Sequence, residues 1–335
     1  MPSNIMFVFP GQGGQYAGMG SDLCAEFAVA RDIYAKANDI LGFDITGLSH
    51  EGPEEELGLT RNTQPALLTH EIACLEVFRD LTGGKISAAS AAGHSLGEYS
   101  ALVAAGVLSF EDGLGLVRRR GELMGEHGEG GMVALGLTVE EAQPLADRFY
   151  CQIASCNLPQ QTVVGGTDAD LDALEAALPD IYPRKRATRL KTEGAFHTYL
   201  MVQAAREFRK ELDAVAFNTA NCDVLSNYTG IAHEETPDSI RTRLFFQLFA
   251  PVNWVGCVAS AVGAGADTFI EFGGGIGSGE SPAEKKPNLQ SIIKKNLRAL
   301  EYEAAYFAAI NVESIKAAAA ELNLAPHRNK KACRS

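Results

Sequence analysis

A serine between two glycines offers the clearest chemistry in this sequence. Gly93-His94-Ser95-Leu96-Gly97 has the pattern G-x-S-x-G, in which a serine sits on a sharp turn between a strand and a helix. Both flanks suit that turn. Ile86 to Ala92 is small and apolar enough for the end of a buried strand, and Tyr99 to Leu108 carries apolar residues at helical spacing. A strained turn that lifts the Ser95 hydroxyl into the open needs neighbours whose backbones can approach closely, which glycine allows. A helix starting there aims free N–H groups and a partial positive charge at an oxyanion formed beside the serine. The chemistry on offer is nucleophilic acyl transfer. A glycine-rich turn with an incidental serine is the alternative that the pentapeptide alone leaves open.

A nucleophile of this kind needs a sheet to hold it, and the chain supplies candidate strands. Residues 5 to 9 read as a buried strand ending in Pro10-Gly11-Gln12-Gly13-Gly14-Gln15. That loop matches neither the P-loop nor the dinucleotide fingerprint, but it can bring a backbone N–H beside the serine turn. Apolar spacing predicts helices over Ser21 to Leu41, Ala66 to Leu81 and Phe110 to about Gly125, the last carrying Arg118, Arg119 and Arg120; Thr60 to Pro65 reads as a loop. Between about residues 130 and 193, strands at 132–137, 150–157, 162–165 and 188–190 alternate with helices at 138–149 and 169–178. That order suggests a small ferredoxin-like subdomain. Gly194-Ala195-Phe196-His197-Thr198 then opens a helix to about Leu212, followed by a strand at 224–227, helices at 239–249 and 252–263 and a strand at 268–272. A polar loop covers 277–287, residues 288–297 form a last strand or helix, the alanine-rich stretch from Tyr302 to Leu324 reads as helix, and 326–335 as a frayed basic tail. The expected fold is α/β. Residues 1–129 and 194–335 would form an α/β hydrolase-like domain with a mainly parallel sheet and the site at its carboxyl edge; residues 130–193 would form the ferredoxin-like subdomain.

Composition narrows the setting. The chain of 335 residues is 46% hydrophobic and 21% charged, with a net charge of −13. Such an acidic balance argues against nucleic acid and anionic membrane surfaces as partners. No apolar run approaches a membrane span, and the N-terminus lacks the basic start and apolar core of a secretory signal. The seven cysteines are scattered without a Cys-x-x-Cys pair, and neither they nor the seven histidines show metal-ligand spacing. The expectation is a cytoplasmic enzyme with reduced cysteines and no metal.

Five motifs occur in order: Phe9-Pro10-Gly11-Gln12-Gly13, Gly93-His94-Ser95-Leu96-Gly97-Glu98-Tyr99, Arg120-Gly121, Gly194-Ala195-Phe196-His197, and Gln247 followed by Pro251-Val252-Asn253-Trp254. Together they closely resemble the malonyl-CoA:acyl carrier protein transacylase family over about residues 5 to 275. The resemblance implies that Ser95 is the nucleophile and His197 its general base, oriented by a backbone carbonyl near Gln247 rather than by a buried aspartate. By chain order Asp168 and Asp170 are the alternative orienters, although both fall in the small subdomain. The resemblance further implies an oxyanion hole from the Gln12 and Leu96 amides, and Arg120 as the ligand of the malonyl carboxylate. Phe196 would narrow the pocket toward malonyl groups, and Asn157 would contact the pantetheine arm. Malonyl-CoA is then a substrate, acyl carrier protein the partner, and no bound cofactor is implied.

Two departures concern the partner. Glu271-Phe272-Gly273-Gly274-Gly275 stands where the family carries acid-x-Gly-Pro-Gly, and the polar insert and long tail follow. The insert and tail favour action in trans on a polyketide synthase over fatty-acid synthesis. Lys285, Lys286, Lys294 and Lys295, or Lys185, Arg186 and Arg189, are candidate contacts for an acidic carrier protein. A hydrolase that clears acyl groups from carrier proteins, a transferase of another acyl unit and a non-catalytic docking protein are the rival functions. A retained arginine speaks against the hydrolase, and an intact serine and histidine against the docking protein.

Overall fold

The computed structural model describes residues 4–324; the basic tail lies outside the described residues. Nine strands are found among them: β1 (Ile5–Phe9), β2 (Ser90–Gly93), β3 (Gly131–Leu135), β4 (Gln152–Leu158), β5 (Gln161–Gly166), β6 (Ala187–Arg189), β7 (Asp223–Val224), β8 (Thr268–Phe272) and β9 (Ala305–Ala309). They form two sheets, a five-stranded one in the order β7-β2-β1-β8-β9 and a four-stranded one in the order β4-β5-β3-β6. Every pairing in the first sheet is parallel.

Strand β1 is buried along its whole length, as expected where helices cover both faces of a parallel sheet. Its side chains alternate between two cores. Ile5, Phe7 and Phe9 join the larger cluster under the helix Thr60–Thr82, while Met6 and Val8 pack with Trp254 and Phe269 on the other face. On the first face Phe7 meets Phe78 and Phe272 edge-on, with ring centroids 6.5 and 4.9 Å apart, geometry that aromatic quadrupoles favour.

The second sheet is antiparallel, and its order with helices Val139–Arg148 and Asp168–Ile181 is the ferredoxin-like one. Thr138 and Glu141 form the capping box that starts the first of those helices. A parallel bridge from Ser155 to Val252 joins β4 to the segment before the helix Trp254–Gly263, with hydrogen bonds of 2.9 and 3.0 Å between the two segments.

The structure corrects the sequence-based expectation at several places. Thr60 to Pro65 is not a loop: the helix runs unbroken over Thr60–Thr82 with Pro65 inside it. The proline's local bias is overridden by packing, since a Cβ at Gly121 would stand 2.6 Å from the Thr60 carbonyl, which shows how closely the two helices meet. The stretch from Ser21 to Leu41 breaks into two helices at Phe27, whose backbone is extended. The helix expected directly after His197 begins only at Val202, preceded by one 3-10 turn. The strand at 224–227 shrinks to Asp223–Val224, and residues 290–299 form a helix. The alanine-rich region from Tyr302 is not all helix. Ala305–Ala309 adds a parallel edge strand beside β8, and the helix starts at Val312. The polar insert is folded: Lys286 bridges Ile276, and the Asn311 amide donates to the Pro282 carbonyl at 2.8 Å.

Candidate active site

Ser95 follows β2 and precedes the helix Gly97–Ala104, with φ of 53°. An L-residue in that left-handed region is strained, and such strain gathers at functional turns. The flanking glycines are obligatory. A Cβ on Gly93 would lie 1.8 Å from the Gly97 carbonyl carbon, and one on Gly97 would lie 2.2 Å from the Phe9 carbonyl oxygen. The second contact also presses the loop leaving β1 against the turn, as the sequence suggested. Asn227 fastens the turn further, accepting from the Ser95 amide at 2.6 Å and donating to the Gly93 carbonyl at 2.7 Å.

His197 stands 102 residues on, and Ser95 Oγ lies 2.7 Å from its Nε2. Its Nδ1 donates to the backbone carbonyl of Gln247 at 2.7 Å. That bond leaves Nε2 as the acceptor facing the hydroxyl. Asp168 and Asp170, the alternative orienters, are elsewhere: Asp168 pairs with Arg189 at 3.2 Å, and Asp170 bonds to the helix-capping Thr167. Burial first, then the neighbouring Arg120 charge, lower the His197 pKa from 6.5 to about 3. The imidazole is therefore neutral, the form a general base requires. Like Ser95, His197 has a positive φ, 61°.

Arg120 projects from the helix Phe110–Glu126 and is fully buried. It donates to Gln64 Oε1 at 2.9 Å, to Gln247 Oε1 at 3.0 Å and to Ser95 Oγ at 3.1 Å. Its guanidinium also lies over the Tyr99 ring, 5.4 Å from the centroid. Its two sequence neighbours differ. Arg118 and Arg119 are partly exposed and pair with Glu122 at 2.6 and 3.2 Å.

The remaining expected residues surround this centre. Leu96 is buried at the start of the helix, and the Gln12 side chain donates to Thr60 Oγ1 at 3.2 Å. Phe196 is buried among Met124, Met132, Ala154, Val163 and Met201, which come from both sheets' neighbourhoods. Asn157 on β4 lies 2.7 Å from His94 Nε2, directly before the serine, while its own carbonyl accepts from Asn296 at 2.9 Å. The small sheet thus reaches the serine turn through Asn157. Among the described residues no cluster of His, Cys, Asp or Glu could hold a metal ion, and no helix is long and apolar enough to cross a membrane.

Sequence reasoning missed Gln64, Asn227, Glu98 and His233. Gln64 lay in the stretch read as a loop. Glu98 was within the motif, and a carboxylate in the first turn after the serine was the available signal. Of the basic clusters, Arg189 is neutralised by Asp168, Asp172 and Glu175. Lys285 donates to the Gly277 carbonyl at 3.1 Å and sits over Tyr16.

Comparison with known proteins identifies the family. Residues 6–272 match the acyl transferase domain family. A malonyl CoA-acyl carrier protein transacylase of Bacillus subtilis is 41% identical over 282 residues, covering 82% of this chain and 87% of the relative. The crystal structure of an acyl carrier protein S-malonyltransferase from Vibrio cholerae superposes with a TM-score of 0.84 at 33% identity, covering 94% of this chain and all (100%) of that one. A malonyl-transacylase solved in complex with a type II polyketide acyl-carrier protein gives a TM-score of 0.84 at 31% identity, covering 95% and 100%. With four-fifths of its length matched, a Ser95–His197 pair on a strand–turn–helix and a buried arginine beside it, the chain belongs to the acyl transferase domain family.

Proposed function

We propose that this chain transfers malonyl groups from malonyl-CoA to the phosphopantetheine thiol of an acyl carrier protein, through an ester on Ser95. The observation that carries the reading is Arg120 Nη2, fully buried and 3.1 Å from the Ser95 hydroxyl. A guanidinium meets a carboxylate through two parallel hydrogen bonds, so a buried arginine at the nucleophile selects an acyl group that bears its own carboxylate. The names of the matched relatives and the solved complex support the same substrate and partner.

The geometry supports the following steps. Ser95 Oγ attacks the thioester carbonyl while His197 Nε2 takes its proton. The oxyanion that forms faces the Gln12 and Leu96 amides, each worth about 10²–10³ in rate for sites of this type. Collapse breaks the C–S bond, and His197 returns the proton to the coenzyme A thiolate. The carrier thiol then attacks the Ser95 ester, giving its proton to His197, and the serine is regenerated when that proton passes back to Oγ. Gln247 holds the imidazole through its carbonyl, and Phe196 bounds the acyl pocket. Residues 130–193, with Asn157 on β4, form the subdomain that flanks the pantetheine path. No resident cofactor enters these steps. The described cysteines are unpaired, which suits a reducing, cytoplasmic compartment.

Incubation with labelled malonyl-CoA, with and without holo carrier protein, tests the reading. Label moving to the carrier supports it. Release of free malonate instead would identify a hydrolase, and absence of any protein label would remove the catalytic reading altogether.

A further inference from the structure

The serine turn and the histidine are each held by a supporting side chain, and both supports end on one carboxylate. Glu98 lies in the first turn after the serine and is fully buried. Its Oε2 accepts from the Asn227 amide at 3.0 Å and from Gln247 Nε2 at 2.9 Å. Its Oε1 lies 2.8 Å from His233 Nε2. Asn227 is the residue that clamps the Ser95 turn, and Gln247 is the residue whose carbonyl orients His197.

We propose that Glu98 is a positioning residue for the transfer, and that it acts by fixing which end of the Gln247 amide faces Arg120. A primary amide has one donor end and one acceptor end. The Gln247 nitrogen meets two acceptors, the Ser95 carbonyl at 2.8 Å and Glu98 Oε2 at 2.9 Å. Those two acceptors claim the NH₂ and leave Oε1 turned to Arg120 Nη2 at 3.0 Å. Arginine has donors only, so it can be held by that oxygen and not by the nitrogen. The carboxylate thereby aims the guanidinium at Ser95 without touching it.

Glu98→Gln tests this, because it keeps size and shape while placing an NH₂ where three donors already converge. One of those contacts must be lost unless His233 moves its proton to Nδ1 and accepts at Nε2, so Glu98→Leu, which removes both oxygens, is measured beside it. If the Gln247 amide turns over to bond the new NH₂, its own nitrogen faces the arginine. The inference rests on the malonyl reading, and the experiment separates the two: wild-type enzyme that never loads malonyl onto Ser95 defeats that reading, whatever the variant does. Ser95 loading is measured with malonyl-CoA and with acetyl-CoA, normalised to the folded fraction from thermal melting. The expected result is an about 10²-fold slower malonyl loading, the size of losing one aligned donor in an acyl-transfer site. Acetyl loading falls by less than about 10-fold, so the malonyl-to-acetyl ratio drops. Malonyl loading within about twofold of wild type, or an equal fall for both substrates, overturns the proposal. Should Glu98→Gln not fold, His233→Leu removes the support of Oε1 from outside the reacting groups. It should lower the same ratio, and an unchanged ratio would count against Glu98.

Discussion

The Arg120 guanidinium donates to the hydroxyl of Ser95: Nη2 and Oγ are 3.1 Å apart, and the same Oγ lies 2.7 Å from His197 Nε2. Ser95, His197 and Arg120 therefore meet at one oxygen. Arg120→Ala should strand the malonyl carboxylate away from water, at a cost of roughly 3–5 kcal/mol. That corresponds to about 10²–10³-fold or more in malonyl loading. Acetyl carries no charge and should lose little. Parallel loading assays read the ratio, with Arg118→Ala and Arg119→Ala as controls that leave it nearly unchanged. Equal loss of both substrates would make the arginine merely structural.

The pH profile follows from His197. As the proposed base it would work as the neutral imidazole, and burial with the Arg120 charge lowers its pKa to about 3. The kcat/KM of the free enzyme should therefore stay level as pH falls past ~6.5, the value of an unperturbed histidine, and drop only on approach to 3. Stability has the same sign. The unfolded histidine takes its proton first as pH falls, so this group's contribution, complete above ~6.5, is lost between there and about 3. Arg120→Ala removes the second cause and should move the inflection upward. A wild-type inflection near 6.5 would contradict the environment described for the base.

Two glycines give opposite signs on substitution. Gly93→Ala places a Cβ 1.8 Å from the Gly97 carbonyl carbon, with no flexible side chain to yield, and should cost at least ~3 kcal/mol in urea unfolding. Gly115→Ala, on the exposed side of the helix Phe110–Glu126 with nothing within 4 Å, should stabilise by about 0.5–1 kcal/mol.

Much of this was legible before any coordinates. Ser95 announced itself because a strained turn restricts its neighbours to glycine, and the continuous apolar run from Ile5 to Phe9 marked a buried strand. What was not legible depends on residues far apart in sequence. Pro65 argues locally against helix, yet the close approach of Gly121 to Thr60 holds the segment helical and brings Gln64 to Arg120. Ala305–Ala309 has helix-forming alanines but lies against the open edge of β8, where ladder bonds decide. Asn227 and His233 carry no local motif, and their roles arise only where the chain returns to Glu98.

Carrier docking should respond to charge. The chain is net −13, so association with an acidic carrier depends on local basic patches. Lys285→Glu with Lys286→Glu should slow transfer to holo carrier protein while sparing self-malonylation. Arg189→Glu is the comparison, since its charge is already paired with three carboxylates. Unchanged transfer at low salt would remove the lysines from the docking surface.

The central claim is an acyl group on one serine. Peptide mass spectrometry after brief exposure to malonyl-CoA should find a malonyl ester on the peptide containing Ser95, absent from folded Ser95→Ala and discharged by holo carrier protein. A malonyl group on a cysteine, or an adduct that persists in Ser95→Ala, would contradict the account.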